Sequence, residues 1–129
     1  MDLLLDTHAF LWWAVGDRRL PRDLGRQIRE PGNAGFVSAV SAWEIAVKVR
    51  VGKLHLPMPV WEFITEARAR MDARPLAFDE GAVVHLAKLP DHHRDPFDRM
   101  LICQAIEHDL TLVTVDEHIR AYPIKTLWS

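Results

Sequence analysis

Acidic side chains stand in four short segments, each where a strand or helix should meet a loop: Leu3-Leu4-Leu5-Asp6-Thr7-His8, Ser41-Ala42-Trp43-Glu44, Asp95-Pro96-Phe97-Asp98-Arg99 and Thr114-Val115-Asp116. Apolar residues flank nearly all of them. The carboxylates are therefore expected to be partly desolvated, which is costly for several like charges unless a cation or a proton offsets the repulsion. Convergence on a hard metal ion is the chemistry this pattern predicts. Mg²⁺ prefers oxygen ligands and keeps several waters, so a few carboxylates suffice to hold it. One or two such ions can activate a water, neutralise non-bridging phosphate oxygens and stabilise a leaving alkoxide, the three needs of phosphodiester hydrolysis.

Each acid also has a structural use. Asp6 could be a strand-end turn residue, but three leucines before it and a helix after it leave little other purpose for a charge. Glu44 could lie on a helix surface, yet its neighbours are apolar. Asp98 precedes Leu101, Ile102 and Ala105 at i+3, i+4 and i+7, which puts it on an inward stripe as well as near a helix N-terminus. Asp116 follows a strand and could cap a short helix. Asp6, Glu44, Asp98 and Asp116 are therefore the candidate catalytic and metal-binding set. Asp95 is either an N-cap before Pro96 or a further ligand, direct or through water. Asp2, Asp91 and Glu117 read as solvated.

Other centres fit less well. His92, His93, His108 and His118 with Cys103 lack H-E-x-x-H and paired C-x-x-C spacing, and the adjacent His92 and His93 are poorly placed to converge on one ion. His8 reads as a packing or hydrogen-bonding residue and Arg99 as a partner in a structural ion pair. Thr114 is placed to hydrogen-bond a metal-bound water. G-x-S-x-G, Walker and dinucleotide-binding signatures are absent.

The elements that must position these residues alternate. Leu3 to Leu5 reads as a central strand, with Thr7 as N-cap of a helix that Gly16 ends. A helix from Pro21 stops before Pro31-Gly32, and Phe36-Val37 forms a strand. Ser38 or Ser41 caps the next helix, whose apolar face is expected to carry Val40, Trp43 and Val47, with Gly52 at its end. Val60, Phe63, Ile64, Ala67 and Met71 mark an amphipathic helix. Pro75 to Phe78 is a strand, and Asp79 caps a helix reaching Leu89. Asp95 and Pro96 open a helix to about His108, Leu110 to Val115 is a strand, a short helix follows Asp116, and Ile124 to Leu127 is the last strand. This alternation predicts a three-layer α/β/α sandwich around a mostly parallel sheet, with residues 1–129 as one domain. Ligands in such folds bind beyond the carboxyl ends of the strands, where strand order reverses, so Asp6 and Asp116 should meet there.

Composition agrees with a compact domain. Of 129 residues, 49% are hydrophobic and 26% charged, enough for a core without disulfides. The formal charge of -2 carries no global mark of nucleic-acid binding. If the acids gather around a cation, however, the remaining surface is basic, with patches at Arg18, Arg19, Arg22, Arg26 and Arg29, at Lys48, Arg50 and Lys53, and at Arg68, Arg70 and Arg74. Cys103, alone in an apolar run, suits a buried reduced thiol. The N-terminus has no signal-peptide pattern and no stretch approaches a membrane span, so a cytoplasmic protein without a membrane partner is expected.

Asp-Thr-His-Ala-Phe-Leu-Trp-Trp, Ser-Ala-Trp-Glu-Ile-Ala-Val-Lys followed by Gly52-Lys53-Leu54, Asp-Pro-Phe-Asp-Arg-Met-Leu-Ile and Thr-Val-Asp together resemble the PIN-domain ribonucleases of the VapC toxin type, in order and over almost the whole chain. The resemblance implies a Mg²⁺- or Mn²⁺-dependent endoribonuclease. It further implies the toxin of a type II toxin-antitoxin pair, a homodimer inhibited by a cognate antitoxin, with tRNA or ribosomal RNA as the substrate class. Asp6, Glu44, Asp98 and Asp116 would carry the acidic quartet. The implied reaction is in-line attack by a metal-activated water, leaving a 5′-phosphate and a 3′-hydroxyl. Basic residues would hold RNA phosphates, and Trp12, Trp13, Trp43, Trp61 and Trp128 would stack bases or pack in the core or a dimer contact. Two other readings are a catalytically silent PIN-like module that binds RNA or protein, which the intact quartet opposes, and a Mg²⁺-binding receiver domain. The receiver needs an acidic pair beside the first strand and an Asp ending a middle strand, whereas Glu44 and Asp98 belong to helices.

Overall fold

A computed structural model describes residues 1–128. Leu3, Leu4 and Leu5 of β1 (Asp2–Leu5) are fully buried. Successive strand side chains point to opposite faces, so Leu3 and Leu5 enter one core and Leu4 another. This split creates the layers. On the first face pack α1 (Thr7–Val15), α2 (Arg22–Ile28) and α4 (Val60–Arg70), through Phe10, Leu24, Ile28, Phe63, Ile64 and Ala67. On the second lie α6 (Pro96–Glu107) and α7 (Glu117–Arg120), through Leu101, Ile102, Ala105 and Ile119. Helix α3 (Ala39–Arg50) serves both, with Ile45 in the first core and Val40 in the second.

The sheet has five strands in the order β3-β2-β1-β4-β5, with β2 Ala34–Ser38, β3 Arg74–Leu76, β4 Thr111–Val113 and β5 Thr126–Leu127. All four pairings are parallel. The chain builds outward from β1 through β2 to β3, then crosses back to lay β4 on the other side of β1. Strand order therefore reverses between β1 and β4, and the Asp6 N–H donates to the Val113 carbonyl at 3.1 Å to join the two exits.

Several elements depart from expectation. Asp6, and not Thr7, caps α1: its backbone is extended and its side chain accepts from the Ala9 N–H at 2.7 Å, while Gly16 ends the helix in the left-handed region at φ 68°. Ser38 caps α3, leaving Ser41 inside the helix. The inward face of α3 is Val40, Ser41, Glu44 and Ile45, whereas Trp43 is 67% exposed and Val47 points largely outward. The last three strands are shorter than their apolar runs. The helix expected up to Leu89 breaks into α5 (Glu80–Val83) and a 3₁₀ turn at Leu86–Lys88, because only Ala82 is buried and one turn has little intrinsic stability. Among the described residues no helix is long and apolar enough to cross a membrane.

Candidate active site

The turn after β1 and the N-termini of α6 and α7 bring Asp6, Asp98 and Asp116 to the carboxyl edge of the sheet, and the buried face of α3 adds Glu44. Asp6 is buried, and this burial pushes its carboxyl above the ordinary range; hydrogen bonds from the Thr114 hydroxyl and the Ala9 N–H oppose the rise, while the Asp116 charge adds to it. Thr114 is fully buried, and its Oγ1 also accepts from the Asp116 N–H at 3.1 Å.

Glu44 is held from both ends. Thr7 Oγ1 lies 2.7 Å from Glu44 Oε1 and 2.9 Å from Ser41 Oγ. A hydroxyl has one proton and a carboxylate only accepts, so Thr7 donates to Glu44 and receives from Ser41. Lys48 Nζ, one turn further along α3, lies 2.6 Å from Glu44 Oε2. A buried carboxylate thus gains an ammonium partner at the i,i+4 spacing that lets helical side chains meet.

Asp98 shows the crowding most clearly. Its carboxyl is pushed up to about 7, first by burial, then by the charges of Asp95, Glu44 and Asp6, with His93 pulling the other way. Asp95 caps α6 by accepting the Asp98 N–H at 3.0 Å, with Pro96 at the start of the helix. It lends negative charge to the cluster while using one oxygen as the cap. Asp116 caps α7 in the same manner, accepting from the His118 N–H at 2.8 Å.

A histidine stands among these acids, against the expectation of carboxylates without nearby nitrogen. His93 Nε2 lies 2.8 Å from Asp98 Oδ2 and 3.4 Å from Asp116 Oδ2. Donor atoms of His93, Asp98 and Asp116 all lie within 4.8 Å of one another. The loop holding His93 is tied down by the Arg99 guanidinium, which donates to the His93 and Pro90 carbonyls and to the Tyr122 hydroxyl; the same hydroxyl accepts the His93 N–H. Arg99 thus supports the loop chiefly through carbonyls, with Asp91 further away at 3.7 Å. His92 turns aside and packs edge-on against Tyr122, so the two adjacent histidines do diverge. His8 is exposed and stacks on Trp12. Lys48 was legible only as part of a basic patch; its i,i+4 spacing from Glu44 carries the pairing. No local pattern marks His93, which reaches the acids through the fold of its loop.

This donor set fits a divalent cation. Burial and neighbouring charge raise the Asp98 carboxyl, an imidazole nitrogen lies against both Asp98 and Asp116, and the donors are predominantly oxygen. Among the described residues His93, Asp98 and Asp116 present donor atoms close enough to share such an ion, and Asp6 and Glu44 add negative charge at Asp98.

Relatives share both sequence and architecture. "Ribonuclease VapC22" of Mycobacterium tuberculosis is 28% identical over 121 residues, 93% of this chain and 91% of that protein. "Ribonuclease VapC16" of the same organism is 34% identical over 58 residues, 45% of this chain and 41% of that protein. The fold matches VapBC2 from Rickettsia felis bound to a promoter DNA fragment, with a TM-score of 0.76, 14% identity and full coverage of both chains. VapBC-1 from nontypeable Haemophilus influenzae matches with a TM-score of 0.66 and 16% identity, over 98% of this chain and 97% of that one. The sequence pattern of the PIN domain matches residues 3–125, a span that contains all four acidic segments, and the chain belongs to the PIN domain family.

Proposed function

We propose that this protein is an endoribonuclease, dependent on Mg²⁺ or Mn²⁺, and the toxin half of a type II toxin-antitoxin pair acting in the cytoplasm as a homodimer, with residues 1–129 forming one domain. The observation that carries the reading is the crowding at Asp98, whose carboxyl is raised to about 7 by burial and by Asp95, Glu44 and Asp6 together. Four acids from three parts of the chain share one field. The names of the relatives support ribonuclease chemistry, and the VapBC complexes support a partner antitoxin.

When bound, the divalent ion supplies Lewis-acid activation of water and neutralises phosphate charge. Asp6 and Asp98 would be its principal holders, with Asp116 completing the set and Asp95 acting as cap and added charge. Glu44, fixed by Thr7 and Lys48, orients the attacking water. Thr114 anchors Asp6 and the Asp116 backbone together. The RNA is cut by water, leaving a 5′-phosphate, and tRNA and ribosomal RNA are the substrate classes to screen.

The test compares wild-type, Asp6→Asn and Asp98→Asn proteins on RNA with Mg²⁺, Mn²⁺ or chelator, with circular dichroism to verify folding. Loss of at least a hundredfold in folded variants, with chelator inhibition rescued by metal, is expected. Wild-type cutting by either variant overturns the site. Expression with and without the adjacent antitoxin gene tests the toxin assignment, which requires growth arrest that the antitoxin relieves.

A further inference from the structure

The face formed by α1 and α2 carries a second feature that the acidic cluster does not use. A cleft of about 620 Å³ is lined by Trp13, Arg22, Gly25, Arg26 and Arg29. Arg22, Arg26 and Arg29 recur at i, i+4 and i+7 along and just beyond α2, so their guanidinium groups rim one side of the cleft. Trp13 of α1 is half-buried and forms its aromatic wall. Gly25 leaves that wall open: a side chain growing from it would run toward the Trp13 ring, whose Cδ1 lies 4.0 Å from an added Cβ. The Arg70 guanidinium sits 5.3 Å from the Trp13 ring centre and donates to the Ala14 carbonyl at 2.8 Å. Asp23 pairs with Arg26, whereas among the described residues Arg22 and Arg29 have no ion-pair partner. Burial and stability therefore give no reason for those two charges.

We propose that this cleft is an accessory RNA-binding site, taking a phosphate of the substrate strand on Arg22 and Arg29 and a neighbouring base against Trp13. Aromatic wall and guanidinium rim are the two components of sequence-tolerant single-strand binding, stacking for the base and charge for the backbone. Its place fits the same RNA that reaches the acidic cluster. Asp6 caps the N-terminus of α1 and Trp13 lies seven residues further on, about 10 Å along the helix axis. With a stacked strand advancing about 3.4 Å per nucleotide, this separates the two sites by roughly three nucleotides. The acidic cluster repels phosphate until a cation is bound, so a remote cationic site would hold RNA independently of the metal. An acidic peptide would also be drawn to three arginines, but it has no use for the aromatic wall.

This inference rests on the ribonuclease reading, and its test separates the two. Binding of a fluorescein-labelled 30-nucleotide RNA hairpin with a single-stranded loop is measured in chelator, where cutting is absent, for wild-type, Trp13→Phe and the triple variant Arg22→Gln, Arg26→Gln, Arg29→Gln, over a range of salt. Circular dichroism verifies that each is folded. The triple variant is expected to bind at least tenfold more weakly, and the slope of log affinity against log salt to fall by about 0.7, the value for loss of one single-strand phosphate contact. Trp13→Phe should weaken binding with the slope unchanged. Unchanged hairpin affinity and slope would overturn the proposal, as would loss of polyglutamate binding without loss of RNA binding. If the wild-type protein with Mg²⁺ or Mn²⁺ leaves the hairpin uncut, the ribonuclease reading fails while the binding data still decide the cleft.

Discussion

His93 Nε2 lies 2.8 Å from Asp98 Oδ2 and 3.4 Å from Asp116 Oδ2, so one imidazole nitrogen faces two carboxylates. The Asp95 N–H points at His93 Nδ1 from 3.4 Å, which favours the tautomer with its proton on Nε2. His93 thereby screens the repulsion between Asp98 and Asp116 in the metal-free protein. A divalent ion held by Asp98 and Asp116 would compete with this hydrogen bond.

His93→Ala is therefore expected to lower the thermal stability of the metal-free protein and to tighten Mn²⁺ binding by roughly tenfold, the scale of one charged hydrogen bond of about 1.5–3 kcal/mol only partly lost. Calorimetric titration with Mn²⁺ measures the second effect. Weaker binding in the variant would instead make His93 a ligand.

Asp98 sets a pH dependence whose sign follows from its raised carboxyl. The folded value is about 7 against an ordinary 3.8, so between these limits the native state binds the extra proton. Stability of the metal-free protein should therefore fall as pH rises from about 4 to about 7, by at most about 4 kcal/mol from this group. Denaturant melts at several pH values check the trend, and Asp98→Asn should flatten it. Since the metal competes with the same proton, its thermal stabilisation should be greater at pH 8 than at pH 5.5.

Thr7→Val removes the hydroxyl that serves the buried Glu44 Oε1 at 2.7 Å while keeping the side chain's shape. A cost of about 1.5–3 kcal/mol in stability is expected, together with slower RNA cleavage from a misdirected Glu44. Urea unfolding measures the first, and a loss under 0.5 kcal/mol would deny Thr7 this role.

Gly25→Ala should stabilise the protein by up to about 1 kcal/mol. Gly25 sits inside α2, and an added Cβ meets only Leu20 and Trp13 side-chain atoms at 3.9 and 4.0 Å, an ordinary contact distance. A thermal melt suffices to check the direction.

Local chemistry in the sequence was enough for the layers. Three consecutive leucines ending in Asp6 specify a strand buried on both faces with a charge at its exit, and Asp95-Pro96 specifies a helix start that carries Asp98 inward. Pairings across the chain are different, because they depend on how loops and helix faces are rotated against one another. Trp43 left the apolar face of α3 on which it was expected and is exposed, whereas the Glu44 carboxylate is buried where Thr7 and Lys48 satisfy it. Asp6 took over the cap that Thr7 was expected to supply, which released the Thr7 hydroxyl for Glu44. The position of His93 between Asp98 and Asp116, and the cleft that joins Trp13 to the arginines of α2, were likewise decided only by tertiary structure. Sequence spacing constrains neighbours one helical turn or one strand residue apart, whereas these contacts join segments whose approach is set by packing of the whole sheet.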